Sequence, residues 1–162
     1  MTGKATSPHI SQITDYLYVS AFPRGEHVAE IVALGVRLVL SMHWMRPMKM
    51  LGKPPVELLW LPTFVNIFLP IPIGTLNRGV GGALPVVEDG GGVLVHCKSG
   101  KHRSVAQAAC VLIAKGYTAD EAMQLIKEKR AVADPDAWHI QRHIRKFEAQ
   151  WQEENNLEDQ LE

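Results

Sequence analysis

The stretch Val93-Leu94-Val95-His96-Cys97-Lys98-Ser99-Gly100-Lys101-His102-Arg103-Ser104 sets the frame for the whole chain. Val93 to Val95 read as a short strand buried on both faces. A polar loop with one glycine follows. From Arg103 to Lys115 the chain is helical and almost wholly apolar, ending at Gly116. A strand that turns straight into a buried helix gathers loop N–H groups and the helix N-terminus around one point, which makes an anion site. Cys97 opens that loop in a positive field, which lowers a thiol pKa from ~8.5 toward ~3.5–7.5 and leaves a thiolate at neutral pH. Arg103 returns to the same point with a planar fork that grips two oxygens of a tetrahedral oxyanion. Nucleophile, amide cradle and clamp are together what phosphoryl transfer to sulfur requires. A buried, inert cysteine is the plain alternative. The cations Lys98, Lys101 and Arg103 beside Cys97 argue against it.

Outward from this segment, apolar runs of strand length occur at Leu17 to Val19, Val36 to Met42 and Leu58 to Leu61. Arg24 to Leu34 reads as a helix that stops at Gly35. Thr75 to Glu88 reads as another, weakened by Gly79, Gly81, Gly82 and Pro85. Thr118 and Glu121 form a capping box that opens a helix to about Arg130. Asp134-Pro135 reads as an N-cap with proline at the first helical position. In the last helix Ile140, Ile144, Phe147 and Trp151 lie on one face. Strands alternating with helices predict an α/β three-layer sandwich, a central mostly parallel sheet flanked by helices. Residues 1–152 form one domain, and 153–162 an acidic, frayed tail.

Composition bounds the function. The 162 residues fit one domain at ~150 residues each. Apolar residues at 46% and charged residues at 21% are those of a globular chain. Lys plus Arg and Asp plus Glu both number 17, so no nucleic-acid partner is indicated. Two cysteines are too few for a disulfide scaffold and fit a reducing compartment. Met1 to His9 lacks the apolar core of a signal peptide. Leu58 to Leu76 is uncharged and long enough to span a bilayer, but Pro62, Pro70 and Pro72 would break a spanning helix, so stable membrane insertion is not expected. A cytoplasmic location follows as the expectation.

The pattern His96-Cys97-x5-Arg103-Ser104 resembles the signature of the cysteine-dependent protein tyrosine phosphatases, and Val105-Ala106-Gln107 with the small size is similar to their dual-specificity branch. Ile13 to Ser20 resembles the opening strand of that branch, and Leu34 to Leu40 its helix-to-strand step. The resemblance covers about residues 10–150. It implies that Cys97 attacks phosphorus and forms a phosphocysteine. Arg103 and the amides of Lys98, Ser99, Gly100, Lys101 and His102 would bind the phosphate oxygens. Ser104 would ease departure of the sulfur, and His96 would orient the loop or be simply a core histidine. No cofactor is implied. His43, His96, His102, His139 and His143 show no metal-ligand spacing. The substrate would be a phosphorylated protein, carrying phosphotyrosine or phosphoserine/threonine, or a small phosphate ester.

The chain departs from this pattern at one point. The resemblance implies an aspartate, on a loop ahead of the cysteine, that protonates the leaving oxygen. That place falls at Val65 or Asn66, and no Asp or Glu occurs between Glu57 and Glu88. Loss of a general acid costs ~10²–10⁴-fold in rate. Three explanations stand side by side. Another carboxyl serves, with Asp134, Asp136 and Glu57 as candidates, although a helix cap is the simpler role for Asp134. The protein is slow, or mainly a phosphate-binding module. Or Asn66 replaces an aspartate by design.

Substrate clues are mixed. Lys98 and Lys101 in Cys-Lys-x-Gly-Lys-x-Arg form resemble the loop of a phosphoinositide 3-phosphatase, so a polyanion phosphatase is the alternative reading; the lysines could equally hold the thiolate and solvate the rim. Arg37, Arg46, Lys49 and Lys53 face an acidic substrate or simply water. The apolar loop Phe64, Val65, Ile67, Phe68 and Leu69 is core or an exposed patch. Cys110 is core filler, or a resolving partner for oxidised Cys97.

Overall fold

A computed structural model describes residues 10–64 and 68–162. In chain order it comprises β1 (Ser11–Gln12), β2 (Leu17–Ser20), α1 (Val28–Ala33), β3 (Val36–His43), β4 (Glu57–Thr63), α2 (Ile73–Glu88), β5 (Gly92–His96), α3 (Arg103–Ala114), α4 (Ala119–Lys129) and α5 (Trp138–Leu161). The five strands form one sheet in the order β1-β2-β5-β3-β4. β2, β5, β3 and β4 are mutually parallel and only β1 is antiparallel. The α/β architecture, with a central sheet flanked by helices, is the one expected.

Period-two alternation sorts the strand residues onto two faces. Leu17, Val19, Leu38, Leu40, Met42, Val93 and Val95 point into the larger core, which also takes α2 to α5. Tyr18, Val39 and Leu94 point the other way, into a smaller core closed by Ile31, Leu51 and Val56. The layers are therefore unequal: several helices cover one face, and α1 with the short 3-10 turn at Lys49–Gly52 covers the other. β5 lies between β2 and β3, and α3 packs against α2, α4 and α5. Residues 103–113 of α3 are buried throughout, including the polar Arg103, Ser104 and Gln107. The β5–α3 connection thus joins the central strand to the central helix.

Several expectations change in detail. The helix expected over Arg24 to Leu34 starts as a 3-10 turn at Gly25–His27 and becomes α-helical only at Val28. α2 starts at Ile73, after Pro72, and runs through its glycines and Pro85. The glycine at position 79 has a packing role there. A Cβ on it would lie within 2.6 Å of the buried Gln107 side chain, which donates to Leu76 O. The capping box at Thr118 and Glu121 is present with both reciprocal hydrogen bonds. Asp134-Pro135 does not cap the last helix; α5 begins at Trp138 with Ala137 as its N-cap. Asp134 is drawn away by partners on the β5–α3 loop, described below. α5 continues through the acidic stretch to Leu161, exposed along its end. Phe64, Phe68 and Leu69 are exposed, while Val65 and Ile67 lie outside the described residues. Among the described residues no helix is long and apolar enough to cross a membrane.

Phe147 is fully buried where α5 meets the main core and stacks on Trp151. Replacing it with alanine leaves a cavity, so Phe147→Ala should lower unfolding free energy by about 3–5 kcal/mol in a urea titration.

Candidate active site

Parallel strands place all their C-terminal ends on one edge of the sheet, and there the chain puts Ser20, His43, Thr63 and His96. Cys97 follows His96 directly. Its Sγ receives the Gly100 N–H at 3.3 Å and lies 3.2 Å from Ser104 Oγ. Cys97 is only 2% exposed. Burial pushes its thiol pKa up. Hydrogen bonds from the Ser104 side chain and backbone and from the Gly100 amide, with the Arg103 charge, overcome that effect, and the pKa lies below the ordinary thiol value. Cys110 is fully buried in α3, and burial pushes its thiol up beyond any physiological pH. The two cysteines share a helix–loop neighbourhood and have opposite chemistry.

Arg103 is buried beneath the loop. Its Nη1 donates to Thr63 O at 2.7 Å and to Met42 O at 3.3 Å, tying it to the ends of β4 and β3. Its Nε is buried without a hydrogen-bond partner among the described residues. A buried, unpaired guanidinium donor is costly, and an oxyanion over the loop would satisfy it. His96 is fully buried, with Nδ1 3.2 Å from Cys97 O and the Phe22 ring edge-on at 5.1 Å. Burial pushes its pKa down to about 4, so the ring is neutral and its Nδ1–H donates to the carbonyl. Lys98, Ser99 and Lys101 stand exposed on the rim.

The loop is held from behind by a residue whose place in the sequence marks only the end of a helix. Arg130, just beyond α4, is buried, and its Nε and Nη2 donate to Gly100 O (2.8 Å) and Ser99 O (3.0 Å). Its Nη1 reaches Ser11 Oγ (3.0 Å) and Val19 O (3.3 Å), so one guanidinium links the loop to β1 and β2. A peptide's C=O and N–H point in opposite directions. With Ser99 C=O turned to Arg130, the Gly100 N–H must face the sulfur. Gly100 itself has φ +67°, and a Cβ there would sit 2.6 Å from Ser20 O. Only glycine fits. An arginine whose charge ends on backbone carbonyls about 30 residues earlier leaves no local pattern in sequence.

The carboxylates fall as follows. Val65 and Asn66 lie outside the described residues, and neither is an acid. Glu57 opens β4 at the opposite edge of the sheet, about 20 Å of strand from Thr63. Asp136 pairs with Lys127 at 2.6 Å. Asp134 alone among the three candidates meets the loop: its N–H donates to Lys101 O at 3.0 Å, and its Oδ2 lies 3.3 Å from His102 Nε2. Among the described residues no group of three or more His, Cys, Asp or Glu could hold a metal ion.

Two outcomes test this geometry. Arg130→Ala frees the loop carbonyls, so it should weaken orthovanadate binding by at least ~10-fold in a competition assay, corresponding to the loss of a charge-assisted hydrogen bond. His96 stays neutral in the fold but protonates below its ordinary value of 6.5 in the unfolded chain. The unfolded state therefore binds more protons between pH 6.5 and about 4, and stability should fall across that window by up to ~3 kcal/mol. Urea titrations at stepped pH read this, and His96→Asn should flatten the profile.

A family model described as the Swiss Army Knife protein DSP-PTPase phosphatase domain matches residues 13–157. Dual specificity phosphatase 28 of Mus musculus is 26% identical over 153 residues, covering 92% of each chain. Dual specificity protein phosphatase TpbA of Pseudomonas aeruginosa is 30% identical over 124 residues, covering 75% of this chain and 55% of the relative. The crystal structure of a mouse dual specificity phosphatase complexed with zinc tungstate superposes with a TM-score of 0.83 at 25% identity, covering 96% of each chain. The chain thus belongs to the dual-specificity phosphatases of the cysteine-dependent protein tyrosine phosphatase superfamily.

Proposed function

We propose that this phosphatase hydrolyses phosphotyrosine and phosphoserine/threonine esters of proteins through a phosphocysteine intermediate. The observation that carries the reading is the buried Cys97 sulfur, at the focus of the Gly100 N–H and the Ser104 hydroxyl, with the Arg103 guanidinium alongside. In the first step the Cys97 thiolate attacks phosphorus and the bond to the leaving oxygen breaks. Arg103, whose Nε has no partner among the described residues, and the loop amides hold the equatorial oxygens as charge builds on them. In the second step water attacks phosphorus and sulfur departs. The Ser104 hydroxyl, 3.2 Å from Sγ, stabilises the returning thiolate. His96 acts through the loop: its Nδ1–H fixes Cys97 O and hence the direction of the side chain. Both cysteines are free, and a thiolate nucleophile needs a reducing compartment, so the cytoplasm is the location we infer.

A second reading has its own observation. Lys98 and Lys101 are both exposed on the loop, beside an open depression that also takes in Ser99, Arg130 and Asp134. Extra cations there favour a substrate with more than one phosphate, such as a phosphoinositide head group. A paired assay with phosphopeptides and inositol phosphates reads the choice. Loss of head-group turnover alone in Lys98→Ala with Lys101→Ala supports the second reading.

The leading reading is tested with p-nitrophenyl phosphate. Cys97→Ser should abolish turnover, and Arg103→Lys should lower kcat/KM by about 10²–10³-fold through loss of the bidentate clamp. Equal turnover in wild type and Cys97→Ser would end the proposal.

A further inference from the structure

A phosphatase of this kind must put a proton on the leaving oxygen, and no carboxyl exists anywhere between Glu57 and Glu88 to do it. Three imidazoles share a cleft with Arg103. A small cleft beside Arg103 is lined by Phe64, Leu69, Ile71, His102, His139 and His143. We propose that His102, held by Asp134, is the proton donor and acceptor of this enzyme; the proposal rests on the phosphocysteine reading above.

The three histidines differ in what they can do. His143 Nε2 accepts the Ile71 N–H at 3.3 Å, a bond it would lose on protonation. Burial and the neighbouring Arg142, His139 and Lys146 also disfavour its cation. His139 packs between Trp138 and His102 by ring contact, 5.3 Å from the latter. His102 is the one with a carboxylate: its Nε2 lies 3.3 Å from Asp134 Oδ2. That contact engages Nε2, and Nδ1 is the nitrogen the proposal assigns to the leaving group. Asp134 is itself fixed by its N–H bond to Lys101 O, so the pair is attached to the phosphate loop at both members. His102 directly precedes Arg103 and is partly exposed, as a group that must meet both substrate and water requires.

The steps balance. Cys97 thiolate forms the S–P bond while the P–O bond breaks, and the leaving oxygen takes the Nδ1 proton of the His102 imidazolium. The neutral imidazole then takes a proton from water as water oxygen bonds to phosphorus. The S–P bond breaks, thiolate and inorganic phosphate form, and His102 is again protonated. Imidazole suits this exchange because its charge changes between about pH 5 and 8. The charged and titratable groups around it are Lys101 and Arg103 beside it in the chain, Asp134 before α5, and His139 and His143 on α5. The described residues of the β4–α2 segment on this cleft, Phe64, Leu69 and Ile71, bring none.

The experiment is a leaving-group series. kcat/KM is measured for aryl phosphates from dinitrophenyl to phenyl phosphate, in wild type, His102→Gln, Asp134→Asn and His143→Gln. A leaving group as poor as phenolate needs the acid, and dinitrophenolate does not. His102→Gln should therefore lose ~10²-fold more on phenyl than on dinitrophenyl phosphate. Asp134→Asn should steepen the series in the same direction by less, and His143→Gln should leave its slope at the wild-type value. Equal losses of His102→Gln on both esters, steepening by Asp134→Asn without steepening by His102→Gln, or steepening by His143→Gln would each overturn the proposal. The dinitrophenyl ester separates this from the underlying reading. Wild-type turnover of it that disappears in Cys97→Ser keeps the phosphocysteine step whatever the slopes show. A wild type inert toward it removes both.

Discussion

The site depends on holding the pKa of the buried Cys97 thiol below its ordinary value. Burial alone drives a thiol toward its neutral form, as Cys110 illustrates a few turns further along α3. At Cys97 the opposing forces are directional: an amide at 3.3 Å, a hydroxyl at 3.2 Å and a guanidinium charge. The amide acts only if its loop peptide faces inward. That requirement explains Arg130, which draws the Ser99 and Gly100 carbonyls outward, and the glycine at position 100, which passes within reach of Ser20 O with a positive φ. It also explains why the loop sits between the central strand and the central helix, the part of the sheet with packed neighbours on every side.

Much of this was legible in the chain. Val93 to Val95 and the apolar run after Arg103 announce a buried strand and a buried helix because their burial is two-sided and continuous. The capping box at Thr118 and Glu121 is local chemistry complete within four residues, and it formed as read. That Cys97, Arg103 and Ser104 come together is legible because it depends on a short, fixed spacing around one loop. Arg130 was not, because its partners are Gly100, Ser99, Val19 and Ser11, brought together only by the fold. Asp134 was misread for the related reason: Asp-Pro is a strong local cap signal, and contacts with Lys101 and His102 outweigh it. The course of α2 through its glycines shows packing outweighing their low propensity, with Gly79 letting Gln107 approach.

The distribution of charge follows the polarity of the sheet. Arg37, Glu57 and Asp89 gather at the edge where β3 and β4 begin, with Arg37 and Asp89 in a salt bridge. The opposite edge, where the strands end, carries cations, imidazoles and exposed apolar residues instead. Proximity in sequence between Glu57 and the missing acid is therefore misleading, since a strand of this length carries the two to opposite ends. Among Asp134, Asp136 and Glu57, it is Asp134 that reaches the β5–α3 loop, through its contact with His102.

The state of the Cys97 sulfur is the claim on which everything else rests. It is measured most directly by the pH dependence of alkylation at this residue, with and without orthovanadate. The account predicts a thiol that titrates below the ordinary value of ~8.5 and is shielded by the oxyanion. A thiol that titrates at or above that value and reacts at the same rate with vanadate present would contradict it.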